Sequence, residues 1–184
     1  MEITLSWMAS LVLFILPAYL ANSSALYLDP ARHGRKSAPI DGGRNFWDGR
    51  RIFGDGKTWD GLFGGVATGL LAGAIIGFLG LAPLGLDFDT WLLSALFLAL
   101  GTHAGDLLGS FIKRRLDVGR GGKLPVFDQL GFAILGLLFA SFVVPDLGYR
   151  IGVEGFLFLL VLTYLVHIFF NWFAYRIGLK DVPW

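Results

Sequence analysis

Gly105-Asp106-Leu107-Leu108-Gly109-Ser110-Phe111-Ile112-Lys113-Arg114-Arg115, running on to Arg120-Gly121 and Pro125-Val126-Phe127-Asp128-Gln129, is the stretch on which the fold turns. It starts inside one apolar run and ends where the next begins. At about 100° per residue, Thr102, Asp106, Ser110 and Lys113 share one helical face, with Gly109 beside them and Arg115 aimed the other way. A carboxylate one to two turns inside a hydrophobic segment is costly unless a cation or metal meets it. A basic connector follows, and Asp128 then opens the next apolar segment. Two acids and several cations at one membrane depth suggest a site for a metal-bound polyphosphate.

Working outward, the class is decided by uncharged windows. The chain has 184 residues, 55% of them hydrophobic and only 16% charged, too few charges for a soluble domain of this size. Residues 3–28, 61–86 and 155–175 carry no charge and are each long enough to cross about 30 Å of hydrocarbon. Residues 90–105 are also uncharged and extend through Asp106 to residue 112. Residues 129–145 form the shortest window, so Asp128 must sit near membrane level. The expectation is an all-α polytopic membrane protein, one domain over 1–184, with five transmembrane helices at 3–28, 61–86, 90–112, 128–145 and 155–175 and loops at 29–60 and 113–127. Charge sets its orientation. Fourteen of the 15 basic residues lie in those two loops or the tail; only Arg150 lies on the other side, with Glu2, Asp87, Asp89, Asp146 and Glu154. The positive-inside rule then puts the N-terminus outside and the C-terminus in the cytoplasm. The first span lacks a basic start, so it reads as a membrane helix rather than a cleaved leader. Pro17 is expected to kink it. With no cysteine, disulfides and thiolate metal sites are excluded.

Several further segments carry two readings each. The loop at 29–60 contains Asp41-Gly42-Gly43-Arg44 and Asp48-Gly49-Arg50-Arg51-Ile52-Phe53-Gly54-Asp55-Gly56-Lys57-Thr58-Trp59. Glycines let backbone N–H groups approach an anion, and the cations neutralise it; alternatively the loop lies on anionic headgroups. A P-loop is ruled out, because Arg51 stands where its first glycine must be. Asn22, near the cytoplasmic end of the first span, either packs helices or reaches a ligand. Gly61, Gly65, Gly69, Gly73 and Gly77 recur every fourth residue and form a groove for close helix packing; a lipid chain or a homodimer contact is the secondary reading. His103 is placed to hydrogen-bond Asp106, as a packing or supporting group rather than a ligand. Asp128 suits the N-terminal dipole of its helix. Thr163, His167 and Asn171 make a polar stripe facing protein, and the aromatic stretch 172–184 suits an interfacial belt.

The pattern Asp106…Ser110…Lys113-Arg114…Asp128-Gln129 resembles the signature of the membrane cytidylyltransferases that make CDP-diacylglycerol, a G-D-x-x-x-S-x-x-K-R segment followed by D-R-x-D. Here the second segment reads Asp128-Gln129-Leu130-Gly131, and Pro125-Val126-Phe127 replaces the bacterial H-G-G. Those departures, with the loop from Asp48 to Trp59, look like the archaeal branch of the family, the CDP-archaeol synthases. The resemblance covers nearly the whole chain.

It implies transfer of CMP from CTP to an unsaturated archaeal glycerol-ether lipid phosphate, with release of pyrophosphate, at the cytoplasmic face of the cell membrane. It also implies that Asp106 and Asp128 hold Mg²⁺, and that Lys57, Lys113 and Arg114 clamp the triphosphate. Arg50, Arg51 and Arg120 are weaker candidates. Thr58 and Ser110 belong to the same substrate-binding set, and Asn22, Asp41, Gly42 and Gly43 border the cytidine or the lipid headgroup. A phosphate monoester, with its second pKa at about 6, is already a nucleophile at neutral pH. No general base is needed, consistent with a chain of only three histidines. The partners implied are CTP, the prenylated lipid phosphate and the bilayer, with no nucleic acid. Two rival enzymes fail on motif: a CDP-alcohol phosphotransferase needs D-x-x-D-G-x-x-A-R, and a prenyltransferase needs aspartate-rich repeats. The remaining rival, a small transporter or channel for a phosphorylated solute, requires polar residues continuing to the outer leaflet.

Overall fold

The computed structural model describes residues 4–27, 37–119, 122–124, 126–179 and 182–183. They are helical apart from turns, loops and two isolated antiparallel bridges, Pro39 with Thr58 and Asn45 with Arg51. Five α-helices follow in order: α1 Leu5–Tyr27, α2 Trp59–Phe78, α3 Phe88–Arg115, α4 Phe127–Ala140 and α5 Leu147–Arg176. Four are long and apolar enough to cross a membrane; α4, with 14 residues, is shorter.

Helix bounds differ from the sequence expectation chiefly at the end of α2, at the end of α4, which stops at Ala140 rather than residue 145, and at the start of α5. The second apolar window continues to residue 86, but α2 stops at Phe78 because Gly80 turns the chain at φ 70 and Pro83 opens a 3-10 turn, Pro83–Gly85. Within that turn Leu84 sits at φ 58, uncommon for a non-glycine residue. It is held from both sides: its N–H donates to Ser10 Oγ at 2.7 Å, and its carbonyl accepts from Arg150 Nη1 at 2.8 Å. At the other end, α5 begins at Leu147, well before residue 155, and Gly152 (φ 67, ψ 172) breaks it into a short polar turn and the long apolar rod. Helix α1 continues through Pro17 as one element.

Glycine decides how closely the helices approach. The α2 stripe is the packing face against α1 and α3: a Cβ at Gly69 would lie 2.7 Å from Ala99 Cβ, and one at Gly77 would lie 2.8 Å from the Phe88 ring. The groove is thus filled by this chain's own helices. On its far side α3 meets α4 through Gly105, where a Cβ would stand 2.5 Å from the Gly131 carbonyl oxygen and 2.7 Å from Phe132 Cα. That contact sets the site, because Asp106 follows Gly105 and Asp128 precedes Gly131 by three residues. Away from this end, the core is apolar. Leu11, Phe14, Ile15, Trp91 and Leu98 are fully buried, and the Trp91 indole donates to the Gly73 carbonyl at 2.8 Å. Helix α5 leans on this bundle by Leu159 and Thr163 and leaves Leu157, Val161, Leu165 and Phe169 exposed, as a lipid-facing rod would.

Candidate functional site

Asp106 and Asp128, from consecutive helices, line one small cavity of about 30 Å³ with Asn22, Ser110, Lys113 and Phe132. Each acid is met by a lysine. Lys57 Nζ donates to both carboxylate oxygens of Asp106, at 2.6 and 2.5 Å, and Lys113 Nζ stands 2.8 Å from Asp128 Oδ1. The i, i+4 and i, i+7 spacing of Asp106, Ser110 and Lys113 brings all three to this face, as the sequence predicts. Asp128 also accepts the Leu124 N–H at 2.8 Å, closing the turn that leads into α4. Its place in the first turn of α4 satisfies the dipole reading as well.

Ser110 and Lys113 are shared with a second, wider cavity of about 450 Å³, which Arg50, Arg51, Gly54, Lys57 and Arg114 also line. That volume is in the range of a ligand pocket, and its wall is strongly basic. Among the described residues Arg114 makes no ion pair, and its Nε has no hydrogen-bond partner. That nitrogen is buried, but the residue lines the cavity, where the rest of its guanidinium can meet an anion.

The loop that supplies Arg50, Arg51 and Lys57 is built around a buried acid. The Asp41 carboxylate accepts the N–H groups of Gly43, Phe53 and Gly54 at 3.0, 3.0 and 2.8 Å, and Arg51 Nη2 donates to it at 2.6 Å. Burial favours the neutral acid, but the Arg51 guanidinium and the three N–H donors outweigh it and hold the Asp41 carboxyl far below the usual carboxylate range. Gly43 and Gly54, at φ 78 and 94, adopt the left-handed backbone that turns these N–H groups inward. The glycines thus do gather N–H groups around an anion, but that anion is the chain's own.

Of the substrate-binding set, then, Asn22, Arg50, Arg51, Lys57, Ser110, Lys113 and Arg114 line one or both cavities. Asp41, Gly42, Gly43 and Thr58 line neither. The first three shape the loop, and Thr58 caps α2 by accepting the Gly61 N–H at 3.2 Å. Arg120 and His33 lie outside the described residues. His103 is buried against Gly65, and its Nε2 has no hydrogen-bond partner, so the expected bond to Asp106 is not made through that atom. Thr163 is buried and pairs with Tyr19 Oη at 2.8 Å, and Asn171 reaches His167 Nδ1 at 2.8 Å; the stripe supports packing. Sequence reasoning missed Arg115 and Asp48, which join α3 to the loop at 2.9 Å.

The two aspartates offer only oxygen donors, and among the described residues no three metal-ligating side chains gather at one point. That set fits a hard divalent cation, which can bind through one or two carboxylates and complete its shell with water and substrate phosphates. The lysines now on both carboxylates mark the place as one that attracts a cation.

A bundle of apolar helices with acids and a basic cavity gathered at one end is the architecture of a membrane enzyme that handles a polyanion. Comparison with known proteins agrees. A solved structure described as an intramembrane enzyme for archaeal membrane lipids biosynthesis superposes with a TM-score of 0.67 at 32% identity, covering 87% of this chain and 91% of that one. The profile of the CarS-like family, described as CDP-archaeol synthase, matches residues 4–184. The CDP-archaeol synthase of Thermococcus gammatolerans is 48% identical over 171 residues, 93% of each chain. That of Methanococcus aeolicus is 42% identical over 178 residues, 94% of each, and that of Sulfolobus acidocaldarius 38% over 174, 94% of this chain and 96% of the relative. The chain belongs to the CDP-archaeol synthase family. It is a membrane cytidylyltransferase of ether-lipid synthesis, and the transporter reading falls away. The packing agrees, since the core beyond the site is sealed by Trp91, Phe14 and Leu98 rather than lined with polar groups.

Proposed function

We propose that the chain crosses the cell membrane five times, with its N-terminus outside, and joins CTP to an unsaturated archaeal ether-lipid phosphate at the cytoplasmic surface. The supporting observation is the junction of the two cavities. The acids line the small one, the cations line the wide one, and Ser110 and Lys113 form their common wall. In this reading the triphosphate lies in the wide cavity against Lys57, Lys113 and Arg114, with Arg50, Arg51 and Arg120 adding positive field. Asp106 and Asp128 hold Mg²⁺, which when bound neutralises charge on the α-phosphate and its neighbours. The lipid phosphate approaches past Asn22 and Phe132, its prenyl chains remaining between helices.

A phosphate oxygen of the lipid forms a bond to the α-phosphorus of CTP as the bond from that phosphorus to the β-phosphate bridging oxygen breaks. The electron pair leaves with pyrophosphate, and no proton need move. The chain's contribution is therefore alignment and charge stabilisation. With a metal on those carboxylates, Lys57 and Lys113 would be free to meet the triphosphate. Purified protein incubated with labelled CTP, Mg²⁺ and 2,3-bis-O-geranylgeranylglycerol phosphate is expected to release pyrophosphate and form a CDP-lipid in equal amounts. CTP hydrolysis with no CDP-lipid, or uptake of a phosphorylated solute without turnover, would overturn the reading.

A further inference from the structure

We infer that Arg115, which faces away from both cavities, is the positioning residue that holds the nucleotide-binding loop on the end of α3. The inference rests on the cytidylyltransferase reading above. Arg115 is the last residue of α3, and its guanidinium binds the loop in three ways at once. Nη2 donates to the Arg51 carbonyl at 2.7 Å and to the Arg50 carbonyl at 3.2 Å. Nε lies 2.9 Å from Asp48 Oδ2, an ion pair by distance without hydrogen-bond alignment, and Nη1 has no hydrogen-bond partner among the described residues. The guanidinium carbon sits 4.9 Å from the centre of the Phe46 ring and 4.8 Å from that of Phe111, resting on the corner that a ring of the loop makes with a ring of α3. The two rings meet edge to face at 5.2 Å.

The grip is reciprocal. Arg50 Nη1 donates to the Arg115 carbonyl at 2.5 Å, satisfying one of the acceptors that a helix C-terminus leaves open. The backbone being held is the one from which Arg50 and Arg51 project into the wide cavity. From Arg51 the connection continues to Asp41, which binds the N–H groups of Phe53 and Gly54. The Lys57 N–H in turn donates to the Gly54 carbonyl at 3.2 Å. A displacement at Arg115 is therefore passed to the cations that meet the triphosphate, while Asp128 and the Asn22–Phe132 side are untouched. A planar fork that binds two carbonyls and a carboxylate while resting against two rings cannot be copied by an ammonium group.

This predicts a substrate-selective defect. Arg115→Ala should raise the KM for CTP on the order of tenfold or more, with kcat falling less and the KM for the lipid phosphate staying within about twofold. Arg115→Lys should recover only part of it, and Asp48→Asn should give a milder defect of the same kind. Limited trypsin digestion, read by mass spectrometry, should cut after Arg50 and Arg51 faster in the variants, with CTP restoring protection. Glu154→Ala, an exposed residue at the opposite end of the bundle, is the control and should behave as the unmodified protein. Unchanged CTP affinity in all three variants would overturn the inference, as would a parallel loss for both substrates tracking a fall in melting temperature. So would failure of all three variants to fold, since Arg115 would then be structural only. Absence of CDP-lipid formation in the unmodified protein would instead remove the underlying functional reading.

Discussion

Gly105 is where packing and chemistry are most directly linked, and Gly105→Ala tests that link. The added Cβ would meet the Gly131 carbonyl oxygen at 2.5 Å and Phe132 Cα at 2.7 Å. Both are backbone atoms of α4 and cannot swing aside as a side chain would. Restoring an ordinary contact of 3.4 Å requires α3 and α4 to part by about 0.9 Å. The same movement carries Asp106 away from Asp128, since each acid lies within one turn of the contact. Overpacking of this kind costs about 1–3 kcal/mol of stability. A misplacement of about 1 Å between catalytic groups can lower turnover on the order of a hundredfold. The expected result is a folded protein, with a moderately lower melting temperature in detergent, whose kcat for CDP-lipid formation falls by that order. Gly148→Ala, at the outer end of α5 where a Cβ meets nothing within 4 Å, should change neither quantity appreciably. Turnover within about twofold of normal in Gly105→Ala would refute the idea that close approach of α3 and α4 sets the carboxylate spacing.

Other consequences follow from the same geometry. Asp106→Asn and Asp128→Asn should each lower kcat by more than about a hundredfold with the fold preserved, measured by turnover and by circular dichroism. Lys57→Ala should lower kcat/KM for CTP on the order of a hundredfold or more, because it removes a cation from the triphosphate and leaves Asp106 without its partner. Asp41 has a folded pKa below its unfolded one, so its contribution to loop stability is full above about pH 4 and is lost only as pH falls through the folded value. Trypsin protection of the loop should therefore be flat from pH 5 to 8, whereas Asp41→Asn should lose it throughout that range. Gly69→Leu, which would force a side chain into Ala99 and the Pro17 carbonyl, should destabilise the bundle enough to prevent recovery of folded protein.

How much of this could be read in advance divides along a physical line. Asp106, Ser110 and Lys113 were readable because helical periodicity alone puts them on one face, and Asp128 because an acid at the start of an apolar helix is conspicuous. The α2 glycine stripe likewise announced a close-packed face, now seen to be occupied by α1 and α3. What periodicity cannot supply is which distant groups meet. That Lys57 reaches Asp106, 49 residues away, and that Arg115 grips backbone 64 and 65 residues earlier, depends on tertiary packing. The glycine loop shows a related limit: N–H groups arranged around an anion look the same in sequence whether the anion is a ligand or Asp41. Helix ends misled where apolarity outlasts helical geometry, as at Gly80 and Pro83 after α2.

Two carboxylates from neighbouring helices are proposed to share one cation next to a basic cavity that takes the nucleotide. The most direct measurement is an experimental structure of the protein with CTP and Mn²⁺, located by anomalous scattering. One metal peak within bonding distance of both Asp106 and Asp128, with the triphosphate against Lys57, Lys113 and Arg114, is the predicted result. A metal bound away from either acid, or both lysines still paired with their carboxylates while nucleotide is present, would contradict it.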